Sequence, residues 1–346
     1  VRTTLACGRV RLPNRLVGRM WYAAMHDWLT ARWLVRQSDV VDIVHAWPVG
    51  SLRTLETASR LGIPALLERC NAHTRFAYEV VAKESARIGV RLPRHFEHAF
   101  DSRILKKEEA EYQAAFRLLC PSEFVVQTFR EQGFPADRLK RHIYGVDDKM
   151  YYPASVPRPP NPGLTVLFVG LCAVRKGLHF ALEAWHRSPA SRSGRFLIAG
   201  TFLPTYRQKL ERLLAHPSIE ILGQRSDVPD LLRSSDVLIL PSIEEGLALV
   251  CTEAMASGVV PVVSTVCTDL CRNGENSLVH EVGDVETLAG HLTALHEDRS
   301  LLTRLRSAGL ALVPEITWDA AGRRLYRVYH EALLEHRAAS VAGFES

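Results

Sequence analysis

Short apolar runs, each closed by a glycine, recur through the second half of this chain: LTVLFV before Gly170, RFLIA before Gly200 and IEIL before Gly223. Stretches of helix length follow them at about 177–187, 205–215 and 228–234. Two more apolar runs, 237–240 and 259–263, bracket a further such stretch. A short strand near 277–281 then precedes helices at 285–297, 300–312 and about 318–337. Strands buried on both faces read as continuous apolar runs, and parallel neighbours need helical crossovers. The alternation therefore calls for a parallel sheet with helices on both sides. The first half repeats it less regularly, with strands at 41–47, 64–70, about 116–121 and about 139–144. Helices are expected there at about 18–37, 50–61, 76–88, 97–115 and 123–132. Between the halves, VPRPPNPG (156–163) places Pro157, Pro159, Pro160 and Pro162 where neither a helix interior nor a central strand can form, so it reads as a linker. The predicted class is α/β, with two Rossmann-like domains whose parallel sheets face a cleft. A length of 346 residues with 47% hydrophobic content suits two cores better than one.

The run PSIEEGLALVCTEAMASGVVPVV (241–263) carries the chemistry. It follows a buried strand and leads into a helix read as opening at Gly246 and closing at Ser257-Gly258. Open α/β sheets bind ligands at such strand ends, and a helix start offers free N–H groups and partial positive charge to a phosphate. Glu245 and Glu253, about two helical turns apart, are placed to accept hydroxyls on two parts of one ligand. An anion site flanked by two such acceptors fits a sugar nucleotide. Arg175 and Lys176 stand at the corresponding end of the strand before Gly170. A cation pair at a helix start is opposed by the helix dipole, so an anionic ligand is welcome there.

The remaining composition narrows the class. Net charge is +5, with seven arginines in residues 1–36 (Arg2, Arg9, Arg11, Arg15, Arg19, Arg32, Arg36) against one acid, Asp27. Mixed with Trp21, Trp28 and Trp33, this segment reads either as a membrane-surface contact or as an amphipathic helix packed on its own sheet. The basic stretch 87–107 contains and borders acids (Glu97, Asp101, Glu108, Glu109), which suits a solvated helix face and not a nucleic-acid groove. No apolar run has membrane-spanning length, and the first residues do not resemble a secretory leader. Cys7, Cys70, Cys120, Cys172, Cys251, Cys267 and Cys271 are scattered, reading as reduced thiols of a cytoplasmic protein that is peripheral at the inner membrane face if the basic segment docks there. No ligand spacing calls for a metal.

Several pieces in fixed order carry a family resemblance: LFVGLCAVRKGL (167–178), IEILGQRSDVPDLLRSSDVLILPS (219–242), EEGLALVCTEAMASGVVPVVST (244–265) and NGENSLVHEVGDVETLA (273–289), with CPSEF (120–124) and YGVDDKMYYP (144–153) before the linker. The chain resembles a retaining glycosyltransferase of family four, with the GT-B fold. The resemblance implies an acceptor-side domain over 1–158 and a nucleotide-sugar domain over 159–317. It also implies a helix from Trp318, within 318–346, that crosses back to the first domain. The implied activity is hexosyl transfer from a nucleotide-diphosphate sugar to a glycan or lipid-linked acceptor, in cell-surface polysaccharide or glycolipid synthesis, with no metal or other cofactor.

The resemblance also assigns roles. Arg175 and Lys176 hold the diphosphate, Gly170 admits close backbone approach, Glu245 reads the donor sugar and Glu253 the ribose. Backbone at Gly246, Leu247, Ala248 and Leu249 meets sugar and phosphate, and the loop of Leu222, Gly223 and Gln224 meets the nucleobase. His73, read as following a strand end and facing the cleft, matches a histidine set against the donor sugar; a helix cap or core position is the other reading. His45 is the next candidate, with Glu68 and Arg69 on the acceptor side. The chain departs from the family where Leu247-Ala248 replaces Phe-Gly, where VCTDLC (266–271) lacks paired glycines, and where no opening strand or glycine-rich loop precedes residues 12–36. Two other functions use the same scaffold: a catalytically weak sugar-nucleotide-binding or assembly protein, and a sugar-nucleotide epimerase.

Overall fold

The computed structural model describes residues 19–93, 96, 98–155 and 163–342. Two sheets of parallel strands form it. The first has four strands in the order β1 (Val44–Ala46), β2 (Ala65–Glu68), β3 (Arg117–Cys120), β4 (Leu139–Arg141). Around it lie α1 (Arg19–Arg36), α2 (Leu52–Arg60), α3 (Thr74–Arg87), α4 (Ser102–Ala114) and α5 (Glu123–Arg130). Strand residues alternate between its two faces. Ala65, Leu67, Leu118 and Cys120 pack with Leu34, Leu55, Tyr112 and Phe129 of the helices. Leu66 and Leu119 face the other way.

The second sheet has six strands: β5 (Thr165–Val169), β6 (Arg195–Ala199), β7 (Ile219–Gly223), β8 (Val237–Leu240), β9 (Val260–Ser264) and β10 (Leu278–His280). Their spatial order is β10-β9-β8-β5-β6-β7. The chain builds outward from β5 to β7, then returns to the other side of β5 with β8. The join between β5 and β8 is therefore the topological switch point. Helices α6 (Leu178–Arg187), α7 (Pro204–Leu214), α8 (Val228–Arg233), α9 (Leu249–Ala256), α10 (Val285–Glu297) and α11 (Arg299–Leu312) supply the crossovers and covers. Its core contains Leu167, Phe168, Ile198, Leu238, Ile239 and Val262, all fully buried.

The last helix, α12 (Trp318–Ala342), crosses back as the GT-B resemblance implies. Its Leu325, Val328, Tyr329 and Ala332 cover Leu66 and Leu119 on the open face of the first sheet.

Element ends shift where local chemistry decides. The helix expected from residue 97 begins at Ser102, because the Asp101 carboxylate accepts the Arg103 N–H at 2.8 Å and caps it. The helix expected from Gly246 begins at Leu249. Helix α1 buries Ala31 and Leu34, and its buried Asp27 caps α2 from outside, accepting the N–H groups of Arg53 (2.9 Å) and Thr54 (2.8 Å). Trp28, Leu29 and Trp33 stay partly exposed. The linker prolines Pro157, Pro159, Pro160 and Pro162, and Arg2, Arg9, Arg11, Arg15 and Cys7, lie outside the described residues. The six described cysteines are free thiols. Among the described residues no helix is long and apolar enough to cross a membrane.

Candidate functional site

The site straddles the switch point. From β5 the chain passes Gly170, whose φ of 142° is open only to glycine, and enters a 3₁₀ turn at Val174–Lys176. Gly177 closes that turn at φ 66°, and a Cβ there would stand 1.8 Å from the Pro241 carbonyl oxygen. The close approach joins the loop after β5 to the loop after β8. Ile243 N–H donates to the Arg175 carbonyl at 2.9 Å and seals the join.

Four charges meet there. Arg175 donates from Nε to Glu244 Oε2 at 2.5 Å and from Nη2 to Glu245 Oε2 at 3.0 Å. Lys176 Nζ lies 2.5 Å from Glu245 Oε1, which also accepts the Ser242 hydroxyl at 2.8 Å. Burial alone would raise the Glu245 pKa, but Arg175 and Lys176 outweigh it and hold the carboxyl below its usual range. At Glu244 burial is likewise outweighed, here by Arg175 and His98, and the carboxyl is held far down.

Glu244 ties the two domains together. Its Oε1 accepts the Ala72 N–H at 3.0 Å and its Oε2 lies 3.4 Å from His98 Nε2, both on the first domain. Arg175 Nη2 also reaches Asn71 Oδ1 at 3.3 Å. A Cβ on Gly246 would stand 1.7 Å from the Cys70 carbonyl oxygen, so the acidic loop lies directly against the end of β2. Farther out, His179 Nε2 of α6 meets Glu84 of α3 at 2.7 Å. Glu244 was not among the sequence candidates, and the acidic doublet Glu244-Glu245 was the available signal.

The other candidates are placed as follows. His73 is buried directly after Ala72, whose N–H meets Glu244 across the cleft. The residue is 2% exposed, its ring packs edge-on to Tyr112 and Phe129, and its Nδ1 accepts the Arg75 N–H to cap α3. Burial and the neighbouring Arg69 and Arg75 push its pKa down to about 4. The capping reading is the one observed, because the chain turns into the helix at this residue and carries the ring inward. Arg69 is likewise buried, held by Glu108 at 3.0 Å. Glu253 stands half-buried on α9 against the Tyr151 phenol; burial raises its pKa and Tyr151 partly offsets this. Leu247 and Ala248 are buried in the loop, and Leu249 opens α9. Ala248 has φ −73°, so its Cβ causes no backbone strain in place of glycine. Leu222 and Gly223 end β7, two strands from β5, with Gly223 at φ 69°, and Gln224 follows in the loop. His45 and Glu68 meet at 3.0 Å at the edge of the first sheet. Among the described residues no group of three or more His, Cys, Asp or Glu side chains could hold a metal ion.

Residues 163–298 match the family described as glycosyl transferases group 1. The second domain is a group 1 glycosyltransferase domain. Curated relatives of this family include GDP-mannose:cellobiosyl-diphosphopolyprenol alpha-mannosyltransferase of Xanthomonas oryzae, 27% identical over 63% of this chain and 59% of its own length. Another is D-inositol 3-phosphate glycosyltransferase of Acidothermus cellulolyticus, 30% identical over 60% of this chain and 51% of its own. The chain thus spans little more than half the length of these relatives. Among solved structures, the Anabaena protein HepE in complex with UDP superposes with TM-score 0.66 at 17% identity, covering 88% of this chain and 82% of that one. Sucrose-phosphate synthase of Thermosynechococcus elongatus gives TM-score 0.69 at 18% identity over 89% and 78%. The likeness establishes the GT-B fold for the group 1 glycosyltransferase domain together with its partner domain.

Proposed function

We propose that this chain transfers a hexosyl group from a nucleotide-diphosphate sugar to a glycan or lipid-linked acceptor, with retention, in polysaccharide or glycolipid synthesis. The observation that carries the proposal is the placement of Arg175, Lys176 and Glu245 together at the β5–β8 switch point, with Glu253 on the helix that follows. Breaking a sugar–phosphate bond leaves new negative charge on the nucleoside diphosphate. Arg175 and Lys176 would take that charge as preorganised electrostatic partners without a metal. In the free chain both cations are neutralised by carboxylates. An arriving diphosphate would replace those carboxylates as their partner and turn Glu245 toward the sugar hydroxyls. Relatives named for GDP-mannose and structures named for UDP leave the base open, so the donor is proposed only by class. The exposed Trp28, Leu29 and Trp33 with Arg32 and Arg36 on α1 support contact with an anionic membrane surface on the cytoplasmic side.

Incubation with a panel of nucleotide sugars, followed by proton NMR of the anomeric signal, tests the reading. Transfer with retained configuration that persists in EDTA supports it. Tight binding of a sugar nucleotide with no turnover toward any acceptor or water would favour a binding scaffold instead, and a changed sugar epimer with no transfer would favour an epimerase.

A further inference from the structure

The start of α12 is fastened to the segment that follows β4. Val146 N–H donates to the Ile316 carbonyl at 2.8 Å, Trp318 N–H donates to the Val146 carbonyl at 3.2 Å, and a Cβ on Gly145 would stand 2.4 Å from the Trp318 backbone. This fastening sets the next turns of α12 over the carboxyl-terminal edge of the first sheet. Tyr329 on that helix bonds His45 Nδ1 at 2.6 Å, His45 Nε2 meets Glu68 Oε2 at 3.0 Å, and Tyr144 donates to Glu68 Oε1 at 2.8 Å. The fully buried Glu68 is thereby satisfied, and His142 Nε2 stands only 3.7 Å from it.

Two neighbours in this cluster are not satisfied. His142 is 6% exposed, and its Nδ1, on the side away from Glu68, is buried with no partner among the described residues. Arg324 donates from Nη1 to the Glu315 carbonyl at 2.7 Å, while its Nε and Nη2 are buried without partners among the described residues. Nε and one Nη form the edge of a guanidinium that matches two oxygens of a carboxylate or phosphate. Burial lowers the His142 pKa, Glu68 partly offsets this, and His45 and then the Arg324 charge lower it further. Residues 320–330 hold Arg323, Arg324 and Arg327 and no acid. Buried polar groups are ordinarily paired, so three orphaned nitrogens on two elements of one cluster point to an acceptor-rich ligand.

We propose that Arg324 and His142 form a second anion subsite, on the acceptor side of the cleft, that takes phosphoryl oxygens of a phosphate- or diphosphate-bearing acceptor. The proposal deepens the transferase reading and rests on it for the word acceptor. The anion chemistry stands alone. Glu68 behind His142 lets the ring take up a proton when an oxyanion arrives, so that Nδ1 donates to the ligand. The subsite lies close to the donor side, since Glu68 and Asn71 leave the same end of β2 and Asn71 already touches Arg175.

The test uses the full chain and inorganic pyrophosphate in isothermal titration. Variants are Lys176→Ala in the donor clamp, and Arg324→Lys and His142→Gln here. Arg324→Lys keeps charge and length but loses the two-pronged edge, so it should fold. The proposal expects Lys176→Ala to retain a pyrophosphate site that Arg324→Lys and His142→Gln each weaken roughly tenfold, the scale of one charge-assisted hydrogen bond. Loss of all binding in Lys176→Ala, with Arg324→Lys like wild type, would overturn the subsite and leave the donor clamp standing. Binding in Lys176→Ala at wild-type strength that Arg324→Lys abolishes would support the subsite and count against the clamp. Sedimentation with vesicles containing a polyprenyl diphosphate, against vesicles containing the polyprenol, identifies the source. Arg324-dependent capture by the diphosphate vesicles assigns a lipid-borne group, and binding of soluble pyrophosphate alone assigns a soluble one.

Discussion

The Glu244 carboxylate accepts the Ala72 N–H at 3.0 Å across the cleft, while its other oxygen holds Arg175. One fully buried acid thus joins the first domain to the cation that faces the proposed diphosphate site. Removing the charge from a buried pair leaves its partner uncompensated. Glu244→Gln should destabilise the protein by about 3 kcal/mol. It should also enlarge the radius of gyration in solution scattering as the domains part. A melting temperature and radius equal to wild type would rule out this role.

Gly246 tests the same closure by shape. Its Cβ position lies 1.7 Å from the Cys70 carbonyl oxygen, and the clash is with backbone of the other domain. Gly246→Ala should leave each domain folded and hold them apart. Turnover should collapse while circular dichroism stays native. A variant that turns over at the wild-type rate would mean the cleft does not close as described.

Much of this arrangement was legible in the sequence. The second sheet was clear because its strands are buried on both faces and several are closed by a glycine. Arg175, Lys176 and Glu245 could be found because strand ends in one domain bring them together. For Glu244 the acidic doublet was a signal, but its role was not legible, since its partner Ala72 lies 172 residues away on another domain. For His73 the sequence left a cap or core position open beside the cleft reading, because a position after a strand end does not fix the ring's packing against Tyr112, Phe129 and Phe134. The first domain was less regular because its strands span only three or four residues, as at Val44–Ala46 and Ala65–Glu68.

The buried His73 gives a pH dependence. Its pKa falls from 6.5 to about 4 on folding, so between those values the unfolded chain binds more protons than the native one. Stability then rises with pH across that window, and the penalty is absent above it. His73→Asn keeps a capping side chain and cannot titrate. Its melting temperature should vary less between pH 6.5 and pH 4 than that of wild type. Parallel curves for the two proteins would refute the assignment.

Lys176 meets Glu245 at 2.5 Å in the free chain and is proposed to meet phosphate during transfer. Lys176→Ala should lose about 2–4 kcal/mol of transition-state stabilisation, the scale of one preorganised electrostatic group. Arg175 and Ser242 still hold Glu245, so the fold should persist. Wild-type kcat/KM in this variant would remove Lys176 from the mechanism.

Glu245 and Glu253 are expected to divide the donor between them. Glu245 lies with the cations at the switch point, whereas Glu253 stands on α9 beside Tyr151, away from that network. Glu245→Ala should reduce transfer strongly and leave nucleoside-diphosphate affinity nearly intact. Glu253→Ala should weaken donor and free nucleoside diphosphate alike, by about 1.5–3 kcal/mol for a lost charged hydrogen-bond partner. The raised pKa of Glu253 adds a sign: more of it is protonated as pH falls, so nucleotide affinity should decline toward acid more steeply in wild type than in Glu253→Ala, where only the ligand's own phosphate titration remains. Titrating nucleoside diphosphate into both variants across pH decides the matter. Equal affinities in the two, at whatever strength, would show that the carboxylates do not serve separate parts of the ligand.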